Sequence, residues 1–263
     1  MKVFNPAEAA IATTPQTLDR ALRMLVELSR RRNMGWRLTD LARECNLDLA
    51  TASRMLAGLA AHGLAARRDS DRHFIVGPQL LNLGLAAQYH VDVVRVAEAI
   101  TESVAAELRL VAFVFMLSGH DFVCVARAGR GRTKALGIEV GTRRPLLRSA
   151  GGVAILQVLP AAVRKAAIAE NRRRITRAHD ERLVAIERML LRSQRLSYAI
   201  NRDDVVPGIT AIGVGVALPV PWIAASVLVA GPSDELGDRV VEGARKVLER
   251  ASRRLHDACV VPG

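Results

Sequence analysis

The sequence predicts an α+β protein built in two parts, on three observations. Residues 16–76 read as helix, short helix, helix and then a hairpin. Residues 91–258 mix hairpin-linked strand patterns with amphipathic helices, the arrangement of an α+β fold. Between them, a Gly77-Pro78 break precedes the short apolar helix QLLNLGLAAQY, which reads as a connector. Half of the 263 residues are apolar and 24% are charged. That composition excludes a disordered chain, and the length can bury a core in each part.

Residues 1–14, with Pro, Ala and Thr and little periodicity, are expected to form a flexible arm. From Gln16 the apolar positions Leu18, Ala21, Leu22, Leu25, Val26 and Leu28 recur at helical spacing. The run Arg30-Arg31-Arg32 is expected to finish that helix, where cations suit the dipole, before Asn33 and Gly35 break it. Thr39 is the expected N-cap of the second helix. Asp48 caps a third from Leu49 to His62, with Gly63 as its stop. Ala52, Met55, Leu56 and Leu59 would face inward. LAARR and HFIV around Asp69-Ser70-Asp71 make the hairpin.

The second part opens with a helix from Val91 to Leu108. Strands VAFVFML and FVCVA follow, with a third expected from Ala135 to Val140. A Gly-flanked helix is expected from Val153 to Leu159, then helices over 161–170 and 180–195 around a solvated run, Arg172-Arg173-Arg174. SYAIN, TAIGVGVAL and IAASVLVAG read as strands, with a turn over Pro219–Trp222, and a last helix runs from about Glu235 to His256. The partition is therefore an arm (1–14), a winged helix-turn-helix domain (15–77), a linker helix (78–90) and a larger domain (91–258).

The net charge of +12 points to a polyanionic partner. It is spread over both parts and does not locate a site. Three cysteines, Cys45, Cys124 and Cys259, lie far apart, without metal spacing or an even disulfide set, which fits a reducing cytoplasm. No apolar run reaches 18 residues and the start of the sequence has no apolar signal core, so neither a membrane span nor secretion is expected. Enzyme readings find no support. The six histidines are scattered, so no metal is expected. Gly213-Val214-Gly215 lies inside a strand pattern with no helix after it, so it is no dinucleotide loop. There is no Walker lysine and no nucleophile elbow. Asp203-Asp204 is adjacent in sequence without acid/base geometry. AGRGRTK reads as a basic loop. No catalytic residue and no cofactor are expected.

A helix, a turn and a second helix with a small, polar first turn form a helix-turn-helix pattern. The second helix enters the major groove, and the hairpin is a wing whose Arg67, Arg68 and Arg72 can reach the phosphate backbone. Residue by residue, the stretch RALRMLVELSRRRNMGWRLTDLARECNLDLATASRMLAGLAAHGLAARRDSDRHFIVGPQLLNLG resembles the winged helix and linker of IclR-type transcriptional regulators. VGTRRPLLRSAGGVAIL, RSQRLSYAINRDDVVPG and ASVLVAGP resemble that family's GAF-like effector-binding domain. The resemblance covers residues 16–257.

The resemblance implies a cytoplasmic DNA-binding regulator, repressor or activator, acting as a homodimer or tetramer on double-stranded operator DNA. It places the DNA-facing positions on Leu49, Ala50, Thr51, Ser53 and Arg54. Leu49 and Ala50 depart from the Lys and Ser that many members carry there, which shifts specificity toward Thr51, Ser53, Arg54 and the wing. It places a small organic-acid effector at the helix start Ser149, Ala150, Gly151 and Gly152, and at Asn201, Ala211, Leu228 and Ala230. Backbone N–H groups at such a start suit a carboxylate. With Asn, Ala, Leu and Ala at the last four positions, the pocket is less polar than a glyoxylate sensor's. The expected ligand is therefore larger or more apolar, an aromatic or alicyclic acid, or the domain takes no ligand at all. Arg143, Arg144 and Arg148 flank the helix start and could attract an anion. From the residues alone two other readings stay open. One is a small-molecule-binding or metabolic protein whose N-terminal unit serves oligomerisation only. The other is a general nucleoid-type polyanion binder.

Overall fold

The computed structural model describes residues 15–31, 34–88, 93–130, 137–177, 182–219 and 224–260. The chain divides into two units, Met1–Val91 and Asp92–Gly263, each with its own apolar core. No helix among the described residues is long and apolar enough to cross a membrane. The expected arm (1–14) and the Asn33 break lie outside the described residues.

The first unit holds α1 (Gln16–Leu28), α2 (Leu38–Glu44), α3 (Leu49–Ala61), β1 (Ala65–Arg67), β2 (Phe74–Val76) and α4 (Gln79–Gln88). Met24 and Leu28 of α1, Leu41 and Ala42 of α2, and Ala52, Leu56 and Leu59 of α3 close its core. Met55 is only partly buried at its edge. α1 ends at Leu28, before the arginine run expected to finish it. There the Trp36 indole N–H donates to the Glu27 carbonyl at 3.0 Å, and the Arg31 guanidinium stacks 3.8 Å above the Trp36 ring. Trp36 also pairs with Phe74 through both backbone bonds, adding a one-residue third strand to the wing. α2 consequently starts at Leu38, with Arg37 as its cap residue, and Thr39 lies inside the helix. α3 begins as its sequence predicts: the Asp48 carboxylate accepts the Thr51 N–H at 2.8 Å.

The second unit holds α5 (Val93–Leu108), β3 (Val111–Ser118), β4 (Asp121–Ala128), β5 (Arg143–Pro145), α6 (Ala150–Val158), α7 (Ala161–Arg177), α8 (Leu183–Gln194), β6 (Ala199–Arg202), β7 (Ile209–Ala217), β8 (Ala224–Pro232) and α9 (Asp238–Ala258). Its six strands form one antiparallel sheet in the order β5-β4-β3-β8-β7-β6. α5 and α9 pack against one face of the sheet and α6 against the other, with α7 and α8 beyond α6. Both faces are therefore covered, and this is why β8 reads as an unbroken apolar run and is buried along nearly its whole length.

Several elements differ from the sequence expectation, each for a local reason. No strand runs from Gly137 to Val140: Gly137 (φ +53°) and Gly141 (φ +82°) turn the chain, and the edge strand is Arg143–Pro145. Residues 131–136 of that stretch, with the end of the AGRGRTK loop, lie outside the described residues, as does most of the Pro219–Trp222 turn. α6 starts three residues before Val153, because the Ser149 hydroxyl accepts the Gly151 N–H at 3.1 Å and caps it at Ala150. Arg172, Arg173 and Arg174 lie inside α7 instead of marking a solvated end. They are held by carboxylates: Arg172 by Glu187, Arg173 by Glu170, and Arg174 by Glu170 and Asp121. The Arg173 and Arg174 hydrogen bonds bring the Glu170 carboxyl down to about 2, against the smaller opposing effect of partial burial.

α6 packs closely on the sheet. A Cβ on Gly215 would lie 2.2 Å from the Ala154 carbonyl oxygen. Gly243, on α9, has nothing within 4 Å of that position. Gly215→Ala is therefore expected to cost about 1–3 kcal/mol or more in urea unfolding. Gly243→Ala should gain about 0.5–1 kcal/mol, the ordinary helix preference of alanine. Equal effects of the two would mean that α6 does not lie on β7 as described.

Candidate nucleic-acid interface and effector site

The recognition surface follows from the way α3 is buried. Ala52, Leu56 and Leu59 turn inward, which leaves Leu49, Ala50, Ser53 and Arg54 exposed and Thr51 half-exposed on the opposite side. Leu49 is 50% exposed, an apolar side chain held in solvent at the first turn of the helix. The N–H of Thr51 is spent on the Asp48 cap, and its two hydrogen bonds to that carboxylate hold Asp48 below the usual range. Arg54 lies one turn on, 3.5 Å from the Thr51 hydroxyl, and forms no ion pair with Glu44 or any other carboxylate among the described residues. Its charge remains available to a phosphate or a base edge.

The wing arginines divide by role. Arg68 grips Asp71 with two hydrogen bonds, at 3.0 and 2.5 Å, and donates to the Met34 carbonyl at 2.9 Å. It braces the hairpin tip, and its hydrogen bonds hold the Asp71 carboxyl far below the carboxylate range. Arg67 donates one N–H to the Arg72 carbonyl at 3.1 Å and lies over the Phe74 ring. Arg72 sits at the turn with φ +61° and is exposed. A groove of about 540 Å³ between α1 and α3 adds Thr17, Arg20 and His62 to Arg54. The sequence reading passed over these residues because it treated α1 only as core. The signal was the i, i+3 pair Thr17–Arg20 beside inward-facing Ala21 and Met24.

In the second unit the eight proposed effector residues gather in one buried region under α6. Strand register sets Asn201, Ala211 and Ala230 side by side, and Leu228 beside Gly213 in the next row of the same face. α6 lies over that second row. A Cβ on Gly151 would meet the Phe115 ring at 2.6 Å and the Leu228 methyls at 3.0 Å. The helix start is thus capped by apolar side chains, with Phe115 stacked on Phe122 at 4.2 Å behind it. Asn201 is committed to its own loop. It donates to the Ile209 carbonyl and accepts the Val205 N–H, both at 2.9 Å.

Ser226, two residues before Leu228 and fully buried on the same face, carries a hydroxyl with no hydrogen-bond partner. Strand alternation from Leu228 would have found it. Of the flanking cations, Arg143 is taken by Asp121 at 2.9 Å and by the Ser118 carbonyl. Arg144 donates to the Gly137 carbonyl, and burial, with Arg148 as a lesser cause, works against its charge. The described residues hold no cluster of histidine, cysteine or carboxylate groups able to bind a metal ion.

A winged helix-turn-helix with an exposed, capped recognition helix, joined to an antiparallel α+β domain, defines a DNA-binding regulator with a sensory domain. Residues 17–69 match the IclR helix-turn-helix domain and residues 85–257 match the bacterial transcriptional regulator IclR C-terminal domain. The chain belongs to the IclR family, whose members are DNA-binding transcriptional regulators and not enzymes. It is 25% identical to the HTH-type transcriptional regulator BhcR of Paracoccus denitrificans, over 91% of this chain and 86% of that one. Among solved structures it resembles an IclR family regulator from Brucella abortus, with a TM-score of 0.73, 17% identity, and coverage of 95% of this chain and 94% of that one. It also resembles an IclR homologue from Microbacterium hydrocarbonoxydans complexed with 4-hydroxybenzoate, with a TM-score of 0.62, 18% identity, and coverage of 93% and 99%. Family membership removes the metabolic-protein reading.

Proposed function

We propose that this regulator binds a paired operator site as a homodimer or a dimer of dimers. It would read bases with Ser53 and Arg54 of α3 and hold phosphates with Arg20, Arg67 and Arg72. The observation that carries this is the exposed first turn and a half of α3, with Arg54 unpaired among the described residues. The oligomer reading has its own support. Leu18, Leu22 and Val26 form an exposed stripe on the side of α1 away from Met24 and Leu28, and α4 exposes Leu81, Leu83 and Leu85. Helices with such apolar faces want a partner, and a second copy of the chain supplies the two-fold symmetry that paired half-sites require.

The effector in this proposal is an organic acid larger or more apolar than glyoxylate. Its carboxylate would take the Gly152 amide, and the Gly151 amide by displacing the Ser149 hydroxyl that caps it, with the positive ground of Arg144 and Arg148 nearby. Its body would replace the contacts of Leu228 and Phe115 against the helix start. The aromatic acid held by the Microbacterium relative fits that class.

Purified protein incubated with fragmented source DNA and excess competitor, at near-physiological salt, is expected to enrich one roughly palindromic site. Uniform retention would reduce it to a general polyanion binder. Arg54→Ala should cost about 1–3 kcal/mol and relax preference at one base position. Arg20→Ala should weaken all sequences alike and flatten the salt slope by about one unit. Leu81→Lys with Leu85→Lys should lower the sedimenting mass and the operator affinity together; an unchanged mass would place the oligomer contact elsewhere. In calorimetric titration, an aromatic acid such as 4-hydroxybenzoate should bind and glyoxylate should not, and Leu228→Ala should change the affinity for the aromatic acid. Binding of two- or three-carbon acids alone would sink the effector reading.

A further inference from the structure

α6 has two faces. Gly151, Ala154 and Val158 lie on the sheet side, against Leu228 and Gly215. Val153, Leu156 and Gln157 point the other way, toward α7 and α8, by the 100° per residue of a helix. There they wall a cleft of about 450 Å³ that also takes in Ile168, Leu190, Leu196 and Arg164. This cleft is separate from the helix start described above.

Two polar groups in it lack partners. Gln157 donates its Nε2 hydrogens toward three carbonyls, of Ser193 at 2.7 Å, Leu196 at 3.2 Å and Tyr198 at 3.4 Å. Three acceptors at one end of the amide fix which end carries the nitrogen, because a carbonyl oxygen facing them would have nothing to accept. The other end, Oε1, is shut away from water and has no donor. Arg164, half-buried on α7, forms no ion pair with a carboxylate among the described residues. A bare acceptor and an uncompensated guanidinium on an apolar wall together specify what the cleft is short of: a donor, an anion and an apolar body.

We infer that the cleft between α6, α7 and the α8–β6 turn is a binding site for a small carboxylic acid that carries a hydroxyl on an apolar frame. The carboxylate pairs with the Arg164 fork, for which a planar anion is the matching shape. The hydroxyl donates to Gln157 Oε1 once a small side-chain rotation brings this buried oxygen to the cleft, and the frame packs on Val153, Ile168, Leu190 and Leu196. Because Gln157 also ties down the carbonyls that end α8, a ligand here tightens the corner where α8 turns into β6. The site does not depend on the operator or the α6-start proposals, and its test uses no DNA.

The full chain is titrated calorimetrically with three matched probes. These are 3-hydroxyphenylacetate, phenylacetate, which lacks the donor, and 2-(3-hydroxyphenyl)ethanol, which lacks the anion. The first should bind, and each of the others should bind about tenfold more weakly or not at all. Arg164→Ala should weaken the first probe about tenfold and abolish its advantage over the alcohol. Leu196→Trp, at an exposed turn position, should block the cleft with the melting temperature unchanged. Three results would each overturn the inference. One is no heat with any probe up to about 10 mM. Another is binding that survives both substitutions, which would assign the heat to the helix start. The third is a change in sedimenting mass with Leu196→Trp, which would assign the cleft to a second copy of the chain.

Discussion

The second unit depends on the contact of α6 with the sheet. Gly213 and Gly215 on β7 remove the side chains that would hold the helix off, and Gly151 removes the one that would meet Leu228 and Phe115. Seven of the nine residues of α6 are buried as a result. A helix this hydrophobic survives only between two apolar layers. α7 and α8 pack on its outer side. The Ser149 cap belongs to the same constraint, since it starts the helix directly above the Gly213–Leu228 row.

A second constraint holds the outer layer in place. Asp121 is 1% exposed at the start of β4, and a buried carboxylate is tolerated only when paired. Arg143 of β5 reaches it at 2.9 Å and Arg174 of α7 at 3.0 Å. Asn171, one turn before Arg174, takes the Leu147 N–H and donates to the His120 carbonyl at 2.7 Å. One turn of α7 is thereby bound to the edge of the sheet and to the segment leading into α6. Arg174 of the α7 run is thus tied to the buried Asp121, while Arg172 and Arg173 stay half-exposed in ion pairs with Glu187 and Glu170.

Much of this was legible in the sequence. The helix-turn-helix pattern, the Asp48 cap, the hairpin and the long apolar strands came from local periodicity and local side-chain chemistry. What was not legible depended on partners distant in sequence. The Arg172–Arg174 run reads as solvated until Asp121 and Glu187 are placed beside it. Thr39 is a better capping residue than Arg37 by type, yet the pairing of Trp36 with Phe74 sets where α2 starts. The stripe Leu18, Leu22, Val26 has the spacing of a core face but is exposed, because Met24 and Leu28 take that place. Resemblance pointed to positions that the strand register places together on one sheet face. It could not reveal that Leu228 and Phe115 close the helix start, or that the hydroxyl on this strand belongs to Ser226.

The crowding at that start bears on how a ligand could act. In a well-packed interior a side chain cannot yield by degrees, so an acid entering beside Gly151 must displace Leu228 or Phe115 as a unit. Phe115 is stacked on Phe122 and lies next to the bulge between Val114 and Phe115, where the β3–β4 register shifts by a residue. A bulge is where a strand can re-aim a side chain at low cost. Leu228, in contrast, sits mid-strand between two paired neighbours, with no slack in its backbone. Accommodation therefore falls to Phe115, and its movement would be felt first along β3 and β4. Those strands pack on α5, the first helix of the unit.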